Sequence, residues 1–299
     1  MLFLAVANAS CGSGSEVNLD FANLGWVEVI FLGIVQGITE LLPISSTAHL
    51  RIVPTLLGMQ DPGSAFSAAM QLASLTAVLV YFWQDLKKLT GETFRAITGQ
   101  DYQSSSLRLM LGLLLGTLPI IIVGVILKPI LNACNSPMRG LIVIGAASII
   151  MSLLLAIAEK WRRGTRTFDK LSLWDGIWVG IAQAFALIPG VSRSGSTLTA
   201  GMFLGMERET SARFSFLLGL PAVILAGAVE LHTLFKAGLS AAGWLTLLVG
   251  LISASISAFL AIWGLLHYLE KHSTWIFVFY RFAMGIFLIV AVMNGWLQN

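Results

Sequence analysis

Glu40, Ser45, Ser46, Thr47 and His49 stand close together in "QGITELLPISSTAHL", residues 36–50, inside a stretch that otherwise reads as lipid-soluble. Every polar group held in hydrocarbon costs free energy, so an ionisable cluster at membrane depth points to function. Gln36 and Glu40 are four residues apart, which puts them on one helix face, one turn apart. Pro43 ends that helix, because the residue before a proline avoids the α region. Ser45 or Ser46 suits the N-cap of the helix that follows, and His49 lies about one turn further on. A carboxylate, hydroxyls and an imidazole at this spacing are acid–base and nucleophilic groups.

A second cluster has the complementary character. "PGVSRSGST", Pro189 to Thr197, combines two glycines, four hydroxyl residues and a single cation, Arg193. Gly190 and Gly195 let the backbone turn sharply. Ser192, Ser194, Ser196 and Thr197 supply hydroxyls, and a helix start adds backbone N–H groups. Together with a guanidinium these make a phosphate site. If the two clusters meet, one holds an anion and the other offers the reacting groups. The chemistry that suits this pair is phosphoryl transfer, where positioning and charge stabilisation dominate. Hard cations favour carboxylate and phosphate oxygens, so Mg²⁺ or Ca²⁺ between Glu40 and a diphosphate is expected.

The elements that carry these clusters follow from composition. The chain has 299 residues, 57% hydrophobic and only 11% charged. Soluble domains carry roughly a quarter charged residues, so this is an integral membrane protein, and no nucleic-acid partner is expected. Six segments are apolar enough to cross a bilayer: 66–83, 109–127, 140–158, 214–230, 244–268 and 275–297. The last carries Arg281 near one end, where a long side chain is expected to snorkel to the interface. Cys11 and Cys134 match no metal or redox spacing, and "MLFLAVANASC" lacks the basic start of a signal peptide, so it reads as an ordinary N-terminus.

Two further apolar stretches, 22–43 and 171–191, contain acids or amides and stop at a proline. They resemble each other: Leu24 aligns with Leu171, Glu28 with Asp175, Gly33 with Gly180 and Gln36 with Gln183, and one residue of slippage pairs Pro43 with Pro189. "FSAAMQL" from Phe66 similarly matches "FSFLLGL" from Phe214. This is a tandem duplication, with repeat 1 over about 22–160 and repeat 2 over about 171–297 of a single membrane domain spanning 1–299. Basic residues crowd the loops 84–108 and 159–170, whereas Lys128 and Arg139 stand alone between 127 and 140; the first two loops are therefore expected inside. Three crossings per half then invert the second repeat, provided 22–43 and 171–191 dip in and return. The expected fold is all-α, with six transmembrane helices plus two re-entrant helical hairpins in inverted repeats.

"QGITELLPISSTAHL", "IPGVSRSGST" and "RFSFLLGLPA" resemble signature segments of the undecaprenyl-diphosphate phosphatase family, bacterial inner-membrane enzymes that confer bacitracin resistance. The resemblance runs from about Leu24 to the end. It implies removal of the terminal phosphate of undecaprenyl diphosphate, which regenerates the lipid carrier of envelope polymers, at a site open to the periplasm. It also implies Glu40 as the essential carboxylate, with Ser46 and His49 on the catalytic stretch. Ser45, Ser192, Arg193, Ser194 and Thr197 fall on the diphosphate-binding set, and Glu40 with Gln36 on the metal side. Ala48 departs from the glycine usual there, Ser67 and Ala73 replace an expected glutamate and glycine, and Gln36 leaves one carboxylate rather than two.

Three nucleophiles remain open on the sequence: Ser46 with His49 as its base, His49 itself, or water. A lipid phosphatase of the acid type would need a histidine six residues after its "SR", and Thr199 stands there. A flippase or transporter of the polyprenyl-phosphate lipid is the remaining alternative; Ser46 and His49 argue against pure transport.

Overall fold

The computed structural model describes residues 19–60, 62–131, 138, 140–161 and 163–298. The N-terminal segment with Cys11, and Cys134, Arg139 and Arg162, lie outside these residues, as does the Lys128 side chain. The described residues are helical and contain no strand. Eleven α-helices run in order: α1 Trp26–Leu41, α2 Ser46–Leu57, α3 Gly63–Tyr81, α4 Trp83–Thr98, α5 Ser105–Leu131, α6 Leu141–Trp161, α7 Leu173–Ala184, α8 Arg193–Phe203, α9 Arg208–Lys236, α10 Ala241–Lys271 and α11 Trp275–Met293. Five of them (α5, α6, α9, α10 and α11) are long and apolar enough to cross a membrane, and α3 with α4 makes a sixth candidate bent by 74°. This is the build of a multi-pass membrane protein. Its outer surface is apolar, with Val125, Ile126, Val229 and Ile256 all exposed.

The segment read as loop 84–108 is mostly helix. α4 buries Leu89, Thr93 and Ala96, three or four residues apart, and turns its lysines outward. Periodicity, rather than mean polarity, was the signal for that helix.

Helices α1 and α7 begin alike. The Gly25 N–H donates to Glu28 Oε2 at 2.8 Å, and the Ser172 N–H and hydroxyl donate to Asp175 Oδ2 at 2.7 Å each. An acid at N3 satisfies an orphan amide of the first turn. α1 ends before Pro43, and α2 starts after Ser45; α7 ends in a 3-10 turn, Phe185–Leu187, and α8 starts after Ser192. The spacing from Gly25 to Ser172 equals that from Ser45 to Ser192. The helix starts therefore align without the one-residue slippage that the prolines show.

Packing fixes where these short helices sit. α1 lies against α10, and α7 against α5; α3 meets α9, and α6 meets α11. Three of these contacts are backbone to backbone, α6 meeting α11 through Gly145 and Gly285. A Cβ on Gly37 would fall 2.3 Å from the Ala254 carbonyl oxygen, and one on Gly180 would fall 2.0 Å from that of Gly116. Main chain cannot yield as a flexible side chain does, so small residues set the approach. Gly180→Ala is expected to destabilise the protein by about 1–3 kcal/mol through overpacking. Gly264→Ala, where an added Cβ meets nothing within 4 Å, should be neutral or stabilising by up to ~1 kcal/mol. Thermal unfolding in detergent of the two variants, side by side, checks the pair.

Candidate active site

The breaks after α1 and after α7 come together. Both restart through a strained serine: Ser45 has φ 75° and Ser192 has φ 69°, values that non-glycine residues seldom adopt. Such strain persists only where surrounding structure over-determines it, and it clusters at functional sites. At Ser192 the hydroxyl accepts the Gly195 N–H at 3.1 Å, which caps α8, and lies 3.2 Å from the Ser194 hydroxyl. Ser194 in turn donates to the Leu42 carbonyl at 3.0 Å, which ties α8 to the end of α1.

Glu40 is the centre of this junction, and it is buried. Its Oε1 pairs with Arg193 Nη2 at 2.8 Å, across 153 residues of sequence. Its Oε2 accepts Gln36 Nε2 at 3.1 Å and the Ser46 hydroxyl at 2.5 Å. The second Arg193 nitrogen donates to the Gly219 carbonyl at 3.2 Å. A Cβ on Gly219 would fall 2.6 Å from that guanidinium, so a larger residue there would push Arg193 out of this position. Arg193 thus finds its carboxylate at the other cluster, as the complementary charges of the two motifs require.

His49 sits beside this set, not on it. Its Nδ1 is 2.7 Å from the Ser45 carbonyl, and its Nε2 is 2.5 Å from the Tyr280 hydroxyl, with the two rings stacked. A carbonyl only accepts, so Nδ1 carries the hydrogen, and in the neutral ring Nε2 accepts from Tyr280. Both nitrogens are engaged, and Ser46 meets Glu40 rather than His49, the base in one of the three routes left open by the sequence. Thr197 is fully buried; its hydroxyl bonds the Arg193 carbonyl at 2.7 Å and contacts the Ser215 hydroxyl. It braces the first turn of α8 from within.

Arg281 overturns its expected placement. Instead of snorkelling to an interface, it is 1% exposed and donates to three backbone carbonyls: Pro43 at 2.9 Å, Gly190 at 2.8 Å and Val191 at 2.9 Å. A helix pattern cannot distinguish an arginine at a span's edge from one turned inward.

A narrow cleft lined by Glu40, Ser74, Arg193, Ser194, Ser215 and Gly219 lies at the junction, with room for little more than a water molecule. Ser74 and Ser215 were absorbed into the spans 66–83 and 214–230 on the sequence; the available signal was a hydroxyl in the middle of the first run and at the start of the second. Among the described residues no three His, Cys, Asp or Glu side chains converge for a metal. The donors present suit a cation shared with substrate. A carboxylate offers about four lone-pair sites, and Glu40 uses three of them for Gln36, Ser46 and Arg193. Mg²⁺ is commonly held by one or two carboxylates plus phosphate oxygens and water.

Residues 29–287 match the family described as bacitracin resistance protein BacA. The chain is 58% identical over 262 residues to undecaprenyl-diphosphatase 2 of Mesorhizobium japonicum, which covers 88% of this chain and 99% of the relative. It is 50% identical over 299 residues to undecaprenyl-diphosphatase of Trichormus variabilis, covering all of this chain and 91% of the relative. Its identity to the undecaprenyl-diphosphatase of Gloeobacter violaceus is 51% over 276 residues, 92% of this chain and 95% of the relative.

Proposed function

Since the chain belongs to the bacitracin resistance protein BacA family, we propose that it hydrolyses undecaprenyl diphosphate to undecaprenyl phosphate and inorganic phosphate. One observation carries the residue assignment: an unbroken chain of contacts from Arg193 through Glu40 to the Ser46 hydroxyl. It joins an anion-binding group, a base and a nucleophile at a break between helices.

The diphosphate enters by competing with Glu40 for Arg193, which opens the cleft and leaves the carboxylate free to take a proton. Ser46 Oγ attacks the terminal phosphorus and its proton passes to Glu40. The bond from that phosphorus to the bridging oxygen breaks, and undecaprenyl phosphate leaves. Water then adds to the phosphoserine, the Oγ–P bond breaks, Ser46 recovers its proton from Glu40, and inorganic phosphate leaves with the oxygen and both protons of the water. Arg193 and the amides at the start of α8 stabilise the negative charge on the phosphoryl oxygens. Ser192 caps that start, Ser194 holds it against the end of α1, Ser45 fixes the His49 ring through its carbonyl, and Thr197 sets the first turn beneath Arg193. Glu40 and Gln36 would hold Mg²⁺ or Ca²⁺, which supplies charge neutralisation at the phosphate oxygens when bound. Chelation by EDTA should lower phosphate release at least ~10-fold, with recovery on adding either cation at millimolar concentration.

The setting we propose is the bacterial cytoplasmic membrane, with the lipid head reached from the periplasm. The segments 22–57 and 171–203 are re-entrant hairpins of two inverted repeats. Reciprocal packing supports this: α1 of the first half lies on α10 of the second, and α7 of the second lies on α5 of the first. Phosphate release from a C55 or shorter prenyl diphosphate by protein purified in detergent tests the function. Rapid-quench trapping of a phosphoserine at Ser46 tests the route. Lipid movement in liposomes without phosphate release would replace this reading with the flippase.

A further inference from the structure

We infer that Arg281 is a positioning residue for this reaction, clamping the two helix breaks so that Arg193 and Glu40 face each other. The inference rests on the function just proposed. One guanidinium reaches both halves of the chain: Nη1 donates to Pro43 at the first break, and Nη2 to Gly190 and Val191 at the second. Carbonyls where a helix stops have lost their intrahelical partners, so they need a donor. No carboxylate of the described residues pairs with Arg281, and its Nε has no partner. A fully buried cation held only by main-chain oxygens is costly to keep, which makes a general packing role a poor account of it. Room is kept for it: a Cβ on Gly195 would fall 2.5 Å from Arg281 Nη1.

The clamp sits beside the reacting groups in sequence as well as in space. Pro43 is three residues from Glu40 and also three from Ser46; Val191 is two from Arg193. Loosening either break shifts one of these groups relative to the other. Tyr280, the residue before Arg281, bonds His49 on α2, so α11 holds the first break at two points. A binding residue would change KM. A clamp that aligns nucleophile, base and guanidinium changes kcat, since a misplacement of about 1 Å can cost ~100-fold.

The test uses full-length protein in detergent, with kcat and KM measured per folded molecule from the monodisperse fraction. Wild-type turnover is the control for the underlying function; its failure removes both readings. With wild type active, Arg281→Met should lower kcat about 100-fold with KM within threefold, and Arg281→Lys should recover at least tenfold of that loss. Arg281→Met with kcat within threefold of wild type overturns the inference alone. So does a loss explained entirely by fewer folded molecules. If Arg281→Met does not accumulate, Arg281→Lys decides: kcat down about tenfold at unchanged KM supports the clamp, and unchanged kcat overturns it.

Discussion

Arg193→Ala is expected to lower kcat/KM for phosphate release by about 10³–10⁵-fold, the range found when a transferred phosphoryl group loses its arginine. Two effects contribute, and they are separable. The substitution removes the anion clamp, and it also leaves the buried Glu40 carboxylate without its cation. Breaking a buried pair from one side costs about 3–5 kcal/mol, because a lone charge remains in a dry site. Stability should therefore fall along with activity. The double substitution Arg193→Ala with Glu40→Gln removes both charges, so it should regain most of the lost melting temperature while staying inactive. Arg193→Lys keeps the charge but cannot reach Glu40 and the Gly219 carbonyl with one rigid fork, and it should fall between. Near-normal turnover by Arg193→Ala would remove the anion-binding role. Recovery of activity together with stability in the double variant would show that only the unpaired carboxylate mattered.

What could be read from the sequence were groups whose partners are near in sequence or obligatory by charge. Glu40 and Gln36 share a helix face at four-residue spacing, and the structure bonds them. Arg193 has no acid nearby in its own loop, so the meeting of a cationic with an acidic cluster was legible. The expected partners, however, were a phosphate for Arg193 and a cation for Glu40, not each other. The helix breaks were legible because Pro43 has few backbone options and Gly190, at φ 94°, takes one that other residues rarely adopt. Contacts to backbone carbonyls or between distant hydroxyls leave no such trace. Arg281 binds three carbonyls, which any residue type provides, so nothing in its surroundings marked it as buried. The same holds for His49, whose partner Tyr280 is 231 residues away, and for Ser215 beneath Thr197. The α4 helix was missed for another reason: its lysines outweighed a periodicity of buried Leu89, Thr93 and Ala96.

Glu40→Gln should reduce kcat by about 10²–10⁴-fold, the usual share of a general base, while the protein still binds the prenyl diphosphate. The substitution keeps shape and a hydrogen-bonding oxygen, so Ser46 and Gln36 retain a neighbour, and only charge and basicity are lost. Arg193 then has no carboxylate to hold it, which leaves it more available to the diphosphate; affinity should be equal or tighter. That combination, slower chemistry with undiminished binding, separates a base from a binding group. It also separates the role from metal holding alone, because a variant impaired only in cation binding recovers when Mg²⁺ is raised. Single-turnover phosphate release, with substrate affinity taken from its concentration dependence and repeated at raised Mg²⁺, reads all three. Ser46→Ala supplies the matching case: no phosphoserine, with the Glu40–Arg193 pair intact. Should Glu40→Gln turn over at more than a tenth of the wild-type rate, the proton from Ser46 goes elsewhere. His49, three residues along α2 from Ser46, would then have to leave Tyr280 to receive it.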